Sequence, residues 1–181
     1  MGALAMIKRM TAKWHSIIGI AVISILGVAI FAHAAGQRGA ASLQDQLVGT
    51  WMLVSMENDK KVQILGERPV GMIVFDAGGR FTSQVMRSDL PKFASADRTK
   101  ATPEESQAVI RGYMGLFGTY SVEAPNTLRL HIISSSFPNW DGADQTRSVA
   151  LNGDELELTN RTNSFGETSV HAFWKRVSVA R

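Results

Sequence analysis

The chain reads HIISSSFPNWDGADQTR over residues 131–147. This segment begins as a β-rich run and passes through a turn that contains Pro, Asn, Trp, Asp and Gly. It then enters a second run that carries Gln145 and Arg147 on one side. Pro, Asn, Asp and Gly either preset or tolerate the backbone angles of tight turns. The segment therefore predicts a β-hairpin, and it gathers a histidine, a tryptophan, an amide and an arginine in a short space.

Short β-rich runs separated by turn residues continue on both sides of this hairpin. Gly78 and Gly79 stand between two such runs, and residues 155–160 alternate polar and apolar side chains, as a strand with one buried face does. Eight runs, mostly joined by short connections, predict an all-β fold. We expect an eight-stranded antiparallel up-and-down barrel, whose interior has room for one small ligand. A β-sandwich is the competing architecture.

One segment predicts a helix inserted midway between the strands. Thr102, Pro103 and Glu105 form a helix start, with a capping threonine, a proline in the first turn and a glutamate that completes a capping box. Apolar residues then recur at spacings of three and four. This pattern runs through Tyr113 and Phe117, which we expect on the apolar face of a helix that closes one end of the barrel.

The N-terminus has the pattern of a secretory signal peptide. Its first 15 residues carry three positive charges and no acidic residue, and residues 16–32 are uncharged. Small residues around Ala34 form an Ala-x-Ala cleavage site. We predict a signal peptide over residues 1–34, cleaved after Ala34. The alternative is an uncleaved anchor, since 17 uncharged residues are at the short end of what spans a bilayer.

These features predict three parts of the chain. The signal peptide is followed by a flexible linker over residues 35–46 and by the barrel over residues 47–181. The corresponding location is the periplasm or the cell exterior. An uncleaved segment would instead anchor the protein to the inner membrane, which would then be its one membrane contact.

Composition excludes several classes of function. The chain has no cysteine, so disulfides and thiolate chemistry are excluded. Of 19 basic residues three lie in the leader, which leaves 16 against 16 acidic residues and no basic surface for nucleic acid. Outside the leader the histidines are His131 and His171, and no zinc-binding spacing occurs. We expect neither a metal nor another cofactor.

Three segments resemble the bacterial lipocalin-like domain family of calycin-type barrels. Two shorter pieces, residues 118–120 and 173–176, match in the same order, and the resemblance covers about residues 45 to 177. It implies a barrel whose interior takes a small, mostly apolar molecule, and it implies no particular ligand. The three segments are LVGTWMLVS at 47–55, PVGMIVF at 69–75 and SFPNWDGADQTR at 136–147.

The resemblance also implies structural roles at one end of the barrel. In the family pattern, the tryptophan of Gly49-Thr50-Trp51 plugs the barrel end and a basic residue of the last strand lies over its ring. Lys175 or Arg176 stands at that place, and Arg is better suited to stack. Gly49, Trp51 and Arg176 are therefore expected to be structural residues outside the ligand site.

Seven residues are candidates for binding a ligand. Arg87, His131, Gln145 and Arg147 have the polar groups to orient one end of it, and Trp140 lies in the turn at the expected rim. Each of these residues could instead be an exposed residue at a strand end or at the rim, without a role in ligand binding. The complete candidate set is Arg87, Tyr113, Phe117, His131, Trp140, Gln145 and Arg147.

Three functional hypotheses follow. The leading one is an exported lipocalin-like protein that binds a small hydrophobic or amphipathic molecule. The second is an isomerase or cyclase in which His131 acts as acid or base and Arg147 stabilises an oxyanion, which requires both groups in one pocket. The third is a structural envelope domain with a solid core and no ligand. Whether any reaction is catalysed is left open by the sequence.

Overall fold

A computed structural model describes residues 41–123, 125–161 and 163–178. Eight antiparallel strands close into a barrel in chain order, which confirms the predicted all-β architecture over the sandwich. The strands are β1 (Gly49–Asn58), β2 (Val70–Phe75), β3 (Arg80–Met86), β4 (Tyr113–Glu123), β5 (Thr127–Ser135), β6 (Asp144–Asn152), β7 (Glu155–Asn160) and β8 (Val170–Arg176). Helices α1 (Leu43–Leu47) and α2 (Pro103–Gly112) and two 3₁₀ turns (Arg98–Lys100 and Pro138–Trp140) complete the described elements.

The barrel closes because the first strand pairs with the last. Trp51 lies opposite Arg176 and Leu53 opposite Trp174, and the register shifts at a bulge between Leu53 and Ser55. A closed ring leaves no strand edge open to pair with another chain. Closure also divides every strand into an inward and an outward set of side chains.

The inward set forms the hydrophobic core. In β5, Leu128, Leu130 and Ile132 are buried, while the residues between them are exposed. In β7, Leu156 and Leu158 point inward in the same way. The core therefore lies within the barrel, as the alternation of ELELTN predicts.

Trp51 plugs one end of the barrel. Its ring is fully buried, and its indole N–H donates to the backbone oxygen of Leu47 at 2.9 Å. The guanidinium of Arg176 lies 4.0 Å from the centre of the ring and donates to the backbone oxygens of Val48 and Gln46. Arg176, and not its neighbour in sequence Lys175, occupies this place.

Gly49 is required by this arrangement for two reasons. Its φ of +135° is a conformation that residues with a side chain rarely adopt. In addition, a Cβ atom at Gly49 would lie 3.1 Å from Nη1 of Arg176. In the Gly-x-Trp pattern, Gly49 thus lets the backbone pass close to Arg176, and Trp51 then fills the end of the barrel.

The residues before β1 correct the predicted linker. The signal peptide over 1–34 and residues 35–40 lie outside the described residues. Ser42, however, caps helix α1, and Leu47 is fully buried at the plugged end. The prediction of a flexible linker through residue 46 is therefore wrong for its last residues, because Leu43 and Leu47 have a core to pack against.

The predicted helix starts correctly but ends too late. Thr102 and Glu105 form the expected capping box. Helix α2 ends at Gly112, and Tyr113 begins β4 by pairing with Met86 of β3. Hydrogen bonding to β3 thus overrides the helical spacing. No described helix is long and apolar enough to span a membrane.

The plug gives a stability prediction. Arg176→Met should lower the free energy of unfolding by about 2 kcal/mol, because it removes hydrogen bonds from a charged donor and the stacking on Trp51. Urea denaturation monitored by tryptophan fluorescence measures the change. Lys175→Met is the matched control, since Lys175 is exposed on the same strand. Equal stability of the two variants would contradict the role of Arg176.

Candidate functional site

The end of the barrel opposite Trp51 carries the long connections. Residues 59–69, 87–112, 136–143 and 161–169 all join strands there, whereas the plugged end has short turns such as 153–154. Helix α2 belongs to the second of these connections. Its Ile110 is 74% exposed and Gly112 is its one buried residue, so most of the helix is exposed. Entry to the interior is therefore expected at this end, which we call the open end.

The aromatic turn of the 131–147 segment lies on the rim of the open end. Phe137 and Trp140 pack edge to face, with ring centres 5.5 Å apart. Both are half-buried against the core. Asp141 accepts the backbone N–H of Ser135 at 2.8 Å, and Gly142 has a φ of +74°. Trp140 is thus anchored at the rim by a defined turn.

The register of β5 with β6 decides which polar residues face the interior. Leu128 pairs with Arg147 and Leu130 with Gln145. Both leucines are buried inward, so Gln145 and Arg147 face inward as well. His131 lies on the other face and is exposed, with its Nδ1 2.9 Å from Oδ1 of Asp144.

This result contradicts the enzyme hypothesis. His131 and Arg147 point to opposite faces of the sheet. An acid or base outside the barrel cannot act on a molecule that an arginine holds inside. The proposal of an isomerase or cyclase that uses these two residues is therefore wrong, and so is the placement of His131 in the ligand site.

Three other candidates also lie outside the barrel. Arg87 follows β3 and binds Asp89 through two hydrogen bonds of 2.8 and 2.6 Å. Tyr113 and Phe117 belong to β4 and not to the helix, on its outward face. The ring of Tyr113 covers Gly115, and Phe117 is 48% exposed. These positions place the three residues away from the interior.

Gln145 and Arg147 form a buried polar pair. They are 4% and 8% exposed. Arg147 donates one hydrogen bond to Oε1 of Gln145 and another to the backbone oxygen of Thr146. Burial lowers the pKa of Arg147 to about 10, which leaves the guanidinium charged at neutral pH. No ion pair links Arg147 to any acidic residue in the described ranges.

Two hydrogen-bond donors inside the barrel have no partner. Among the described residues, the buried side-chain atoms without one are Nε2 of Gln145, Nε1 of Trp174 and Oε1 of Gln63. Gln63 belongs to the connection after β1, whereas Gln145 and Trp174 face the interior. Trp174 is not among the seven ligand-binding candidates that the sequence suggests. Its alternation with Val170 and Ala172 was the signal that it faces inward.

The walls around this pair are apolar. Leu130, Val149, Leu158 and Ala172 are all buried on inward faces. A separate depression of about 400 Å³ lies at α1, lined by Ser42, Leu43, Gln44, Asp45, Val122 and Pro125. It is at the plugged end and contains neither Gln145 nor Arg147. The interior pair is the better candidate, because it joins buried polar groups to apolar walls.

His171 connects strands and a loop at the open end. Its Nε2 lies 3.0 Å from Oδ1 of Asp59, and its Nδ1 lies 3.0 Å from Oε1 of Glu157. Hydrogen bonds to Asp59 and then to Glu157 raise the pKa of His171. Nearby, Nδ2 of Asn58 donates to Glu167. No group of residues suited to hold a metal ion occurs among the described residues.

A closed eight-stranded barrel with an apolar interior and a few inward polar groups is an up-and-down barrel of the lipocalin type. The chain belongs to the lipocalin-like domain family, whose model matches residues 48–177. The 4'-hydroxy-3'-methoxypropiophenone carrier protein ppsC of Aspergillus oryzae is 34% identical over 85 residues, which are 43% of this chain and 77% of that protein.

Two solved structures are similar to this chain at low sequence identity. A lipocalin-like protein from Bacteroides uniformis is 14% identical with a TM-score of 0.43, over 72% of this chain and 98% of that one. As-p18, an extracellular fatty acid binding protein, is 17% identical with a TM-score of 0.37, over 76% of this chain and 100% of that one.

The His171 contacts predict a pH-dependent stability. Because the folded pKa of His171 is raised, its stabilising contribution is complete below about pH 6.5, the value of an unperturbed histidine. The contribution is lost as pH rises through the folded pKa. We expect a decline of about 1 kcal/mol or less in the free energy of unfolding.

Urea denaturation between pH 6 and pH 9 measures this decline. His171→Gln should remove it, and Asp59→Asn should reduce it, because Asp59 is the main cause of the shift. The same decline in wild-type protein and His171→Gln would show that another group is responsible.

Proposed function

We propose that this protein binds and carries a small hydrophobic or amphipathic molecule in the interior of its barrel. The observation that carries the proposal is the buried pair of Gln145 and Arg147 within mostly apolar walls. Apolar walls supply affinity at about 25 cal/mol per Å² of buried apolar surface. The polar pair orients one end of the ligand.

The carrier relative supports this proposal. The A. oryzae protein carries, by its name, an aromatic ketone with one apolar and one polar end. A molecule of that kind suits a pocket in which a few polar groups face a mostly apolar wall. The ligand of the present protein is proposed at the level of this chemical class.

Entry is proposed at the open end. The plugged end is blocked by Trp51 and Arg176, while the open end has long connections and the largely exposed helix α2. Trp140 and Phe137 stand on its rim, where their rings can contact a ligand that passes. Trp140 thus remains a candidate for ligand contact in this proposal.

Binding should depend on the space inside the barrel. Ala172→Phe enlarges an inward side chain between Met56 and Leu158. It should weaken the binding of Nile red, a neutral hydrophobic dye, at least about tenfold, which is about 1.4 kcal/mol, because the added ring occupies space that the dye needs. Fluorescence titration measures the affinity, and thermal melting checks that the variant folds.

Ala150→Phe is the matched control, because Ala150 is exposed on the outside of β6. It should bind Nile red as the wild type does. Leu158→Trp gives a second interior position should Ala172→Phe fail to fold. If no dye binds to wild-type protein, or if both phenylalanine variants bind equally, the interior is not the binding site and a structural domain with a solid core is the better interpretation.

The N-terminal segment is proposed to export the protein. The support is the positively charged leader, the uncharged run of residues 16–32 and the small residues around Ala34. Intact-mass measurement of the protein from its own host should show an N-terminus at Ala35. A full-length mass in the membrane fraction would favour the anchor alternative instead.

A further inference from the structure

We propose that the ligand carries an anionic oxygen group, of the carboxylate, enolate or phenolate class, which binds Arg147 and Gln145. This inference rests on the proposed function, since it specifies the polar end of the molecule held in the barrel. The class follows from two independent properties of the pair. One is its charge, and the other is the kind of hydrogen-bonding group that it leaves without a partner.

The charge of Arg147 has no counterpart in the described structure. The other arginines within strands each pair with a carboxylate: Arg80 with Asp76, Arg129 with Glu123 and Arg176 with Asp154. All three of those arginines have more exposed side chains, at 76%, 47% and 26%. Arg147 is thus the most buried of the strand arginines and has no acidic partner. Because an isolated charge is costly to bury, an anionic ligand would complete the site.

The hydrogen bonds of the pair point to the same class. Two of the five N–H groups of Arg147 are used, by Gln145 and by the backbone of Thr146. The Oε1 atom of Gln145 accepts one hydrogen bond from Arg147 and keeps one acceptor position, and its Nε2 amide has no partner. Most of what this pair has left to offer is therefore donors, namely the unused N–H groups of Arg147 and the amide of Gln145.

A group that only accepts hydrogen bonds fits such a site. A carboxylate has about four acceptor positions and no hydrogen, so it can take N–H groups from a guanidinium and from an amide together. An alcohol has fewer acceptor positions than a carboxylate and no negative charge to pair with Arg147, so it would leave more of these donors without a partner. The site should therefore discriminate by head group, and not only by the length of the apolar tail.

Matched ligands separate these effects. Dodecanoate and dodecanol share a tail, as do 4-butylbenzoate and 4-butylbenzyl alcohol, and each is titrated against bound Nile red at pH 8. Wild-type protein should bind at least one of the acids about tenfold or more tightly than its alcohol, as expected for hydrogen bonds to charged groups. Arg147→Met should abolish this preference and keep the binding of the alcohol.

Thermal stability without ligand separates a binding role from a structural one. An isolated charge is costly to bury, and even a complete buried ion pair can often be replaced by apolar side chains of similar volume without loss of stability. Arg147→Met should therefore melt at or above the wild-type temperature while it loses the acid preference. A structural arginine would give the opposite result, with a lower melting temperature.

Arg129→Met is the control for the loss of an arginine, because Arg129 lies on the outside of the neighbouring strand. It should keep the preference for acids. Gln145→Met provides a second variant and should reduce the preference, which keeps the inference testable if Arg147→Met does not fold.

The outcomes separate the inference from the proposed function. Equal affinity for acids and alcohols, a preference retained in Arg147→Met, or displacement of Nile red by no member of either pair would overturn the anionic class while the barrel still binds the dye. Failure of the wild-type protein to bind Nile red as well would overturn both.

Discussion

The pairing of β1 with β8 is the constraint on which the rest of the structure depends. It closes the eight strands into a barrel, which has an interior separated from solvent. Each side chain then belongs either to the interior or to the solvent-facing surface, with no edge strand between them. Closure places the polar pair of Gln145 and Arg147 among the buried apolar side chains of the interior. The pair is a candidate binding site for this reason.

The two ends of the ring are built differently. At one end Trp51 fills the opening, and Arg176 ties its ring to the segment before β1 through two backbone oxygens. The other end carries long connections, the largely exposed helix α2 and the aromatic side chains of Phe137 and Trp140. Under the proposed function, this asymmetry would give a ligand one direction of entry, and it keeps the structural arginine separate from the buried one.

The features that could be predicted are those that local patterns determine. The eight strands, the capping box at Thr102 and the turn at Asp141 and Gly142 all follow from residue type and spacing. The end of α2 could not be predicted in this way, because the run through Tyr113 and Phe117 fits both a helix and a strand. Pairing with β3, far away in sequence, decided in favour of the strand. The helix that contains Leu43 and Leu47 likewise depends on tertiary contacts, because both side chains pack against the hydrophobic core.

By itself, the sequence determined that this is an eight-stranded barrel of a lipocalin-like family, and that Gln145 and Arg147 share one side of a strand. It also put His131 and Ile133 on one side of β5 and Leu130 and Ile132 on the other. Only the tertiary structure decided which sides face inward. The reason is physical, because the side chains of a strand point alternately to its two faces. The sequence pattern therefore separates the residues of the two faces but does not show which face is buried. The pairing of β5 with β6 determines the inward face, with Arg147 in the core and His131 exposed to solvent.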